Sequence, residues 1–172
     1  MLLADRNGED FGSSMDDSST ASEFVEIARA DTITFLVDGA QLLDLSTRTL
    51  AASEILLIAQ SLVDGEAILG NSRAAIVLTK VDCIRNSTET ERVNRDFANL
   101  VQKFVTRFDK IFRQIQPFEV AACPHDISLP LGYGVAELLG YWQEGLPEAI
   151  PAVTPYHSKS TRYMHLLVGI EE

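Results

Sequence analysis

Two short, almost continuously apolar runs constrain this chain more than any other feature. Thr32-Ile33-Thr34-Phe35-Leu36-Val37 and Ala74-Ala75-Ile76-Val77-Leu78-Thr79 are too short for core helices and lack the alternation of a strand with one wet face. Runs of that kind form parallel strands buried on both sides. Each ends abruptly in polar residues, Asp38-Gly39 and Lys80-Val81-Asp82. A third short strand is expected over Phe118-Glu119-Val120-Ala121-Ala122, after Pro117.

The segments between these runs carry helical spacing. Ser46 to Val63 places Leu50, Ile55, Leu57, Ile58 and Leu62 on one broad stripe, with Asp44 or Ser46 as N-cap and Gly65 just past the end. Val93, Phe97, Leu100, Val101, Phe104, Val105, Phe108 and Ile111 keep the same period, introduced by a Thr88-x-x-Glu91 capping box and ended by Pro117. The opposite face carries Arg95, Lys103, Arg107, Lys110 and Arg113 and reads as a solvated surface. Val135, Leu138, Leu139 and Trp142 predict a last helix over Gly132 to Tyr141, and Phe24, Val25, Ile27 and Ala28 an early one. Alternating strands and helices predict an α/β domain: three layers, a mostly parallel sheet and helices on both faces. Ligands of such sheets sit at the carboxyl ends of the strands.

Composition narrows the function classes. The chain has 172 residues, a hydrophobic content of 46% and a formal charge of −11, enough apolar material for one core. The acidity argues against nucleic acid, whose binding draws on Lys and Arg. No apolar stretch approaches a membrane span, and the first ten residues do not form a signal peptide. Two cysteines, Cys83 and Cys123, and three scattered histidines, His125, His157 and His165, lack metal-ligand spacing and fit a reducing, cytoplasmic setting.

The strand tips carry the chemistry. Leu2-Leu3-Ala4-Asp5-Arg6-Asn7-Gly8-Glu9 has a D-x-x-G pattern after a short apolar run, and Thr79-Lys80-Val81-Asp82 has the pattern [N/T]-K-x-D after a longer one. A carboxylate at the second tip can accept from both N1–H and the exocyclic amine of guanine, a donor pair that adenine does not offer. Together with Ala121-Ala122-Cys123 after the third run, these elements resemble, in order, the motifs of Ras-like P-loop GTPases of the translation-factor-related class. The strand ending in Val37-Asp38-Gly39, with Glu9 after D-x-x-G, is similar in particular to bacterial double-GTPase-type domains.

The resemblance implies GTP or GDP with Mg2+. Asp5 would hold the metal through water, and the Gly8 N–H would meet the γ-phosphate. Thr79, Lys80 and Asp82 would form the base site, with the Lys80 stem over the base plane. Backbone of Ala121, Ala122 and Cys123 would contact the guanine carbonyl. Glu9 stands where many members place the glutamine that orients the attacking water; it can accept a hydrogen bond but not donate one. The Ser- and Asp-rich stretch Gly12 to Thr20 would correspond to the second switch. Asp38-Gly39 is expected to turn the chain and cap the next helix. Cys83 and Cys123, following the two base-site tips, are expected to lie near one another.

One motif is missing. No G-x-x-x-x-G-K-[S/T] occurs, so no phosphate-cradling loop of that kind is present in these residues. The expected organisation is therefore residues 1–145 as the C-terminal two-thirds of a GTPase-like domain, missing its first strands, with the phosphate loop supplied by an upstream segment or another polypeptide. Residues 146–172, rich in proline, would be an edge strand or a linker to another domain. The competing function is a nucleotide-independent protein-interaction module on a degenerate GTPase-like fold, for which Asp82→Ala would leave partner binding unchanged. An unrelated receiver-like or flavodoxin-like domain is disfavoured, because no motif of theirs is seen.

Overall fold

The computed structural model describes residues 21, 24–68, 72–125 and 127–144. Among these residues three strands, β1 (Thr32–Asp38), β2 (Arg73–Thr79) and β3 (Gln114–Glu119), form a parallel sheet in the order β1-β2-β3. The registers Thr32↔Arg73 and Arg73↔Gln114 bring the three carboxyl ends level. Among the described residues six helices accompany them: α1 (Val25–Ala28), α2 (Gly39–Leu43), α3 (Arg48–Asp64), α4 (Val81–Arg85), α5 (Thr90–Phe108) and α6 (Val135–Gln143).

β2 is the centre and is buried on both faces, as its run of apolar residues requires. Ala74, Ile76 and Leu78 point into the larger core, together with Ile33, Phe35 and Val37 of β1 and the inner stripes of α3 and α5. Ala75 and Val77 point the other way and pack with Phe118, Leu138 and Tyr141, where α6 covers the second face. The period of two along β2 therefore assigns the two outer layers, and the three-layer α/β arrangement is observed. The Tyr141 hydroxyl donates to the Ala74 carbonyl at 3.2 Å, and Arg73 lies over its ring at 4.5 Å. Burial raises the Tyr141 phenol above its ordinary value. No described helix is long and apolar enough to cross a membrane.

Element boundaries differ from the sequence reading in five places. The helix expected from Ser46 begins at Arg48, with Thr47 at its N-cap and no side-chain cap; the Asp44 carboxylate instead accepts from the Ser46 N–H at 2.8 Å and closes the preceding turn. The Thr88-x-x-Glu91 capping box does not form. The chain spends Val81–Arg85 on a separate one-turn helix, so α5 starts only at Thr90, whose hydroxyl donates back to the Ile84 carbonyl at 2.7 Å. At its other end α5 stops at Phe108, and Pro117 lies inside β3.

Proline is tolerated there because β3 is the outer strand of the order. The Val120 N–H donates to Leu78, and alternation along the strand turns the Pro117 nitrogen away from β2. The third strand is thus Gln114–Glu119, rather than Phe118 to Ala122. The last helix likewise starts later than expected, at Val135, after Gly134 with φ of +74°. A Cβ on Gly134 would overlap the Glu119 carbonyl oxygen, so only glycine fits this crossing.

Candidate functional site

The tips of β2 and β3 build one site. Val120 N–H donates to the Leu78 carbonyl at 2.8 Å, and Val81 N–H donates back to the Val120 carbonyl at 3.4 Å. Thr79-Lys80-Val81-Asp82 is thereby stitched to the loop that begins at Ala121. Lys80 takes the left-handed conformation, φ 54° and ψ 39°, costing on the order of 1 kcal/mol for a residue with a side chain. That residue turns the chain from β2 into α4.

Asp82 stands in the first turn of α4 and is only 5% exposed. Its Oδ2 accepts the His125 N–H at 3.1 Å, so the loop after β3 orients the carboxylate directly. Ala121 is buried and donates its N–H to the Tyr133 carbonyl at 3.0 Å. Ala122 and Cys123 are exposed, and among the described residues their N–H groups donate to no acceptor. A buried carboxylate and a pair of free N–H groups on an adjoining loop can together take the donor and acceptor edge of a planar base.

Thr79 and Lys80 face β1. The Thr79 hydroxyl donates to the Val37 carbonyl at 3.2 Å, and Lys80 Nζ donates to Asp38 Oδ2 at 2.7 Å. Asp38 also caps α2, accepting the Ala40 N–H at 2.9 Å; the expected capping role is observed, on a short helix that the sequence reading did not contain. A Cβ on Gly39 would overlap the Thr79 carbonyl oxygen, so Asp38-Gly39 can approach the β2 tip only with glycine there. The Lys80–Asp38 ion pair was not foreseen, because no local signal links residues on two strands.

This pair has a pH signature. Burial pushes the Asp38 carboxyl up, but the hydrogen bonds from Lys80 and the Ala40 N–H outweigh it and hold it below its ordinary 3.8. The same bond from Asp38 raises the Lys80 ammonium above 10.5. A carboxyl depressed by folding stabilises above its unfolded value and gives that up as the pH falls through its folded one. Wild type is therefore expected to melt above Asp38→Asn at pH 7, and the gap to narrow below pH 3.8 and close below the lowered value. Asparagine keeps the cap, so equal melting temperatures at pH 7 would remove the pair from the argument.

Cys83 lies 3.9 Å from the Asp82 carboxylate, and burial, then the Asp82 charge, raises its thiol above its ordinary value. Cys123 is exposed. Asp5, Gly8, Glu9, the stretch 12–20 and residues 146–172 lie outside the described residues, so the D-x-x-G half of the reading has no geometry here. No group of three metal-ligating side chains occurs among the described residues.

A family model described as Double-GTPase 2 matches residues 1–143. The chain belongs to that family. No curated protein and no solved structure matches it. As a Double-GTPase 2 domain it is a GTPase-like, nucleotide-binding type of protein. The three described elements, Thr79 to Asp82, Ala121 to Cys123 and Asp38-Gly39, come together at one end of the sheet. Sequence reasoning missed His125 as the orienting partner of Asp82. Its contact is made by the main chain, which no side-chain motif reports.

Proposed function

We propose that the chain binds a guanine nucleotide at the β2 and β3 tips. Asp82 accepts from guanine N1–H and the exocyclic amine, and the Ala122 and Cys123 N–H groups meet the carbonyl of the base. The Lys80 stem, moored by its ammonium to Asp38, lies along the base plane. The observation that carries this reading is the buried Asp82 carboxylate set beside two unused N–H groups.

The phosphates require donors of another origin. These 172 residues contain no Gly-rich phosphate loop, and we infer that the loop belongs to a segment or polypeptide outside them. Two features support that split: among the described residues β1 pairs only with β2, and Leu36 of β1 is 62% exposed. In the Ras-like sheet order the first strand adds at this edge, carrying the loop toward Lys80. Mg2+, held through Asp5, and hydrolysis, with Glu9 toward the water, belong to the same proposal and depend on that completed half.

Calorimetric titration of the folded chain with GDP, GTP and ATP in Mg2+ tests it. Guanine nucleotides are expected to bind and ATP not to. A folded chain that takes none of them, or all three equally, would refute the base site and favour the nucleotide-independent interaction module.

A further inference from the structure

We propose that Arg85 and Tyr133 are positioning residues that lock the two halves of the base site into one frame. This rests on the nucleotide reading above and names what sets the spacing between its carboxylate and its N–H groups. The two halves come from different elements: Asp82 from the one-turn helix α4, the free N–H groups from the loop after β3. Near Asp82 their direct links are the His125 N–H and the 3.4 Å bond from Val81. A helix of a single turn has little rigidity of its own.

Arg85, the last residue of α4, supplies a third link. Its Nη2 donates to the Tyr133 hydroxyl at 2.7 Å, its guanidinium carbon lies 4.7 Å from the centre of the Tyr133 ring, and the same nitrogen is 3.6 Å from Glu119 Oε2. The Tyr133 ring is itself fixed, packed against the larger core. On its main-chain side Tyr133 accepts the Ala121 N–H at 3.0 Å, and Gly132 N–H donates to the Ala122 carbonyl at 3.1 Å.

The contacts close a circuit. It runs from Asp82 along α4 to Arg85, across to Tyr133, through the antiparallel bridge to Ala121 and Ala122, and back through His125 to Asp82. Recognition of one planar base from two sides needs both sides held to within a fraction of an ångström. Arg85 does this without touching the base. Its pair with Glu119 is longer, solvent-exposed and adds little; the 2.7 Å hydrogen bond, also at the surface, and the guanidinium over the ring together carry the link.

The test uses the full chain with Arg85→Ala and Tyr133→Phe, reading amide exchange by NMR and GDP binding by calorimetry. Arg85→Ala is expected to speed exchange at the Ala121 and Gly132 amides, leave the melting temperature near wild type and weaken GDP about tenfold. Tyr133→Phe keeps the ring and the bridge, so it should fall between that variant and wild type. Loop exchange in Arg85→Ala that matches wild type would overturn the clamp, with or without nucleotide. A wild-type chain that binds no guanine nucleotide would instead refute the base-site reading, whatever the exchange shows.

Discussion

Phe104→Ala is expected to lower the unfolding free energy by about 4 kcal/mol and the melting temperature by roughly 10 °C. Phe104 of α5 is fully buried and is the centre of an aromatic group that joins the helix layer to the sheet. Its ring lies 5.1 Å from Phe35 of β1, 4.7 Å from Phe108 and 5.9 Å from Phe112. Removing it takes away apolar burial and leaves a void that three other rings cannot fill without giving up their own edge-to-face contacts, Phe35 with Phe112 and Phe108 with Phe112. A domain with the usual 5–15 kcal/mol in hand loses a large part of its stability. Leu57→Ala on α3 is the control: that side chain is 52% exposed and its loss should change stability by no more than about 0.5 kcal/mol. Denaturant melts of both variants check the pair, and equal losses would contradict the assignment of the core.

Asp82→Ala should weaken GDP about 100-fold and leave ATP unchanged. Two hydrogen bonds to a buried carboxylate, each on the order of 1.5 kcal/mol, together correspond to that ratio. The discrimination is chemical: only guanine offers two donors to the pair of oxygens. The substitution also frees the His125 N–H, but that residue is exposed and water replaces the lost acceptor. Calorimetry on both proteins, with circular dichroism to show equal folding, reads the result. A loss below threefold would remove Asp82 from the base site.

The strands were legible because burial on both faces forces an unbroken apolar composition. Ile76, Val77 and Leu78 announce β2 without any knowledge of its neighbours. The stripe from Val93 to Phe108 is legible for the same reason, one face of a long helix being committed to the core. The tip Thr79 to Asp82 could be read as a motif because its residue types and their spacing follow from the base they would meet.

What stayed hidden depends on distance in sequence or on main-chain geometry. The one-turn helices α2 and α4 have no period long enough to detect, and α4 displaced the capping box that composition alone favoured. Arg92 was not singled out, yet its guanidinium donates to the carbonyls of Leu42 and Leu43 at 3.1 and 2.9 Å and closes the end of α2 from another helix. Lys80 with Asp38, and Arg85 with Tyr133, meet only after the sheet has formed. Pro117 misled for a related reason, since proline stops a helix or sits quietly in an outer strand according to neighbours the sequence does not name.

The order β1-β2-β3 follows the order of synthesis. Among the described strands each pairs with the one made just before it, partner residues lying about 40 positions apart as in Thr32↔Arg73 and Arg73↔Gln114, and none has to be threaded between two strands already joined. A nascent chain can therefore extend this part of the sheet from one side only, growing at the newest edge as the ribosome delivers it. The aromatic group around Phe104 is complete before Val120 is made, whereas the second face waits for Tyr141. Among the described residues assembly thus begins on one surface of the sheet and moves to the other, so the layer carrying Leu138 and Tyr141 is shielded from water after the one around Phe104.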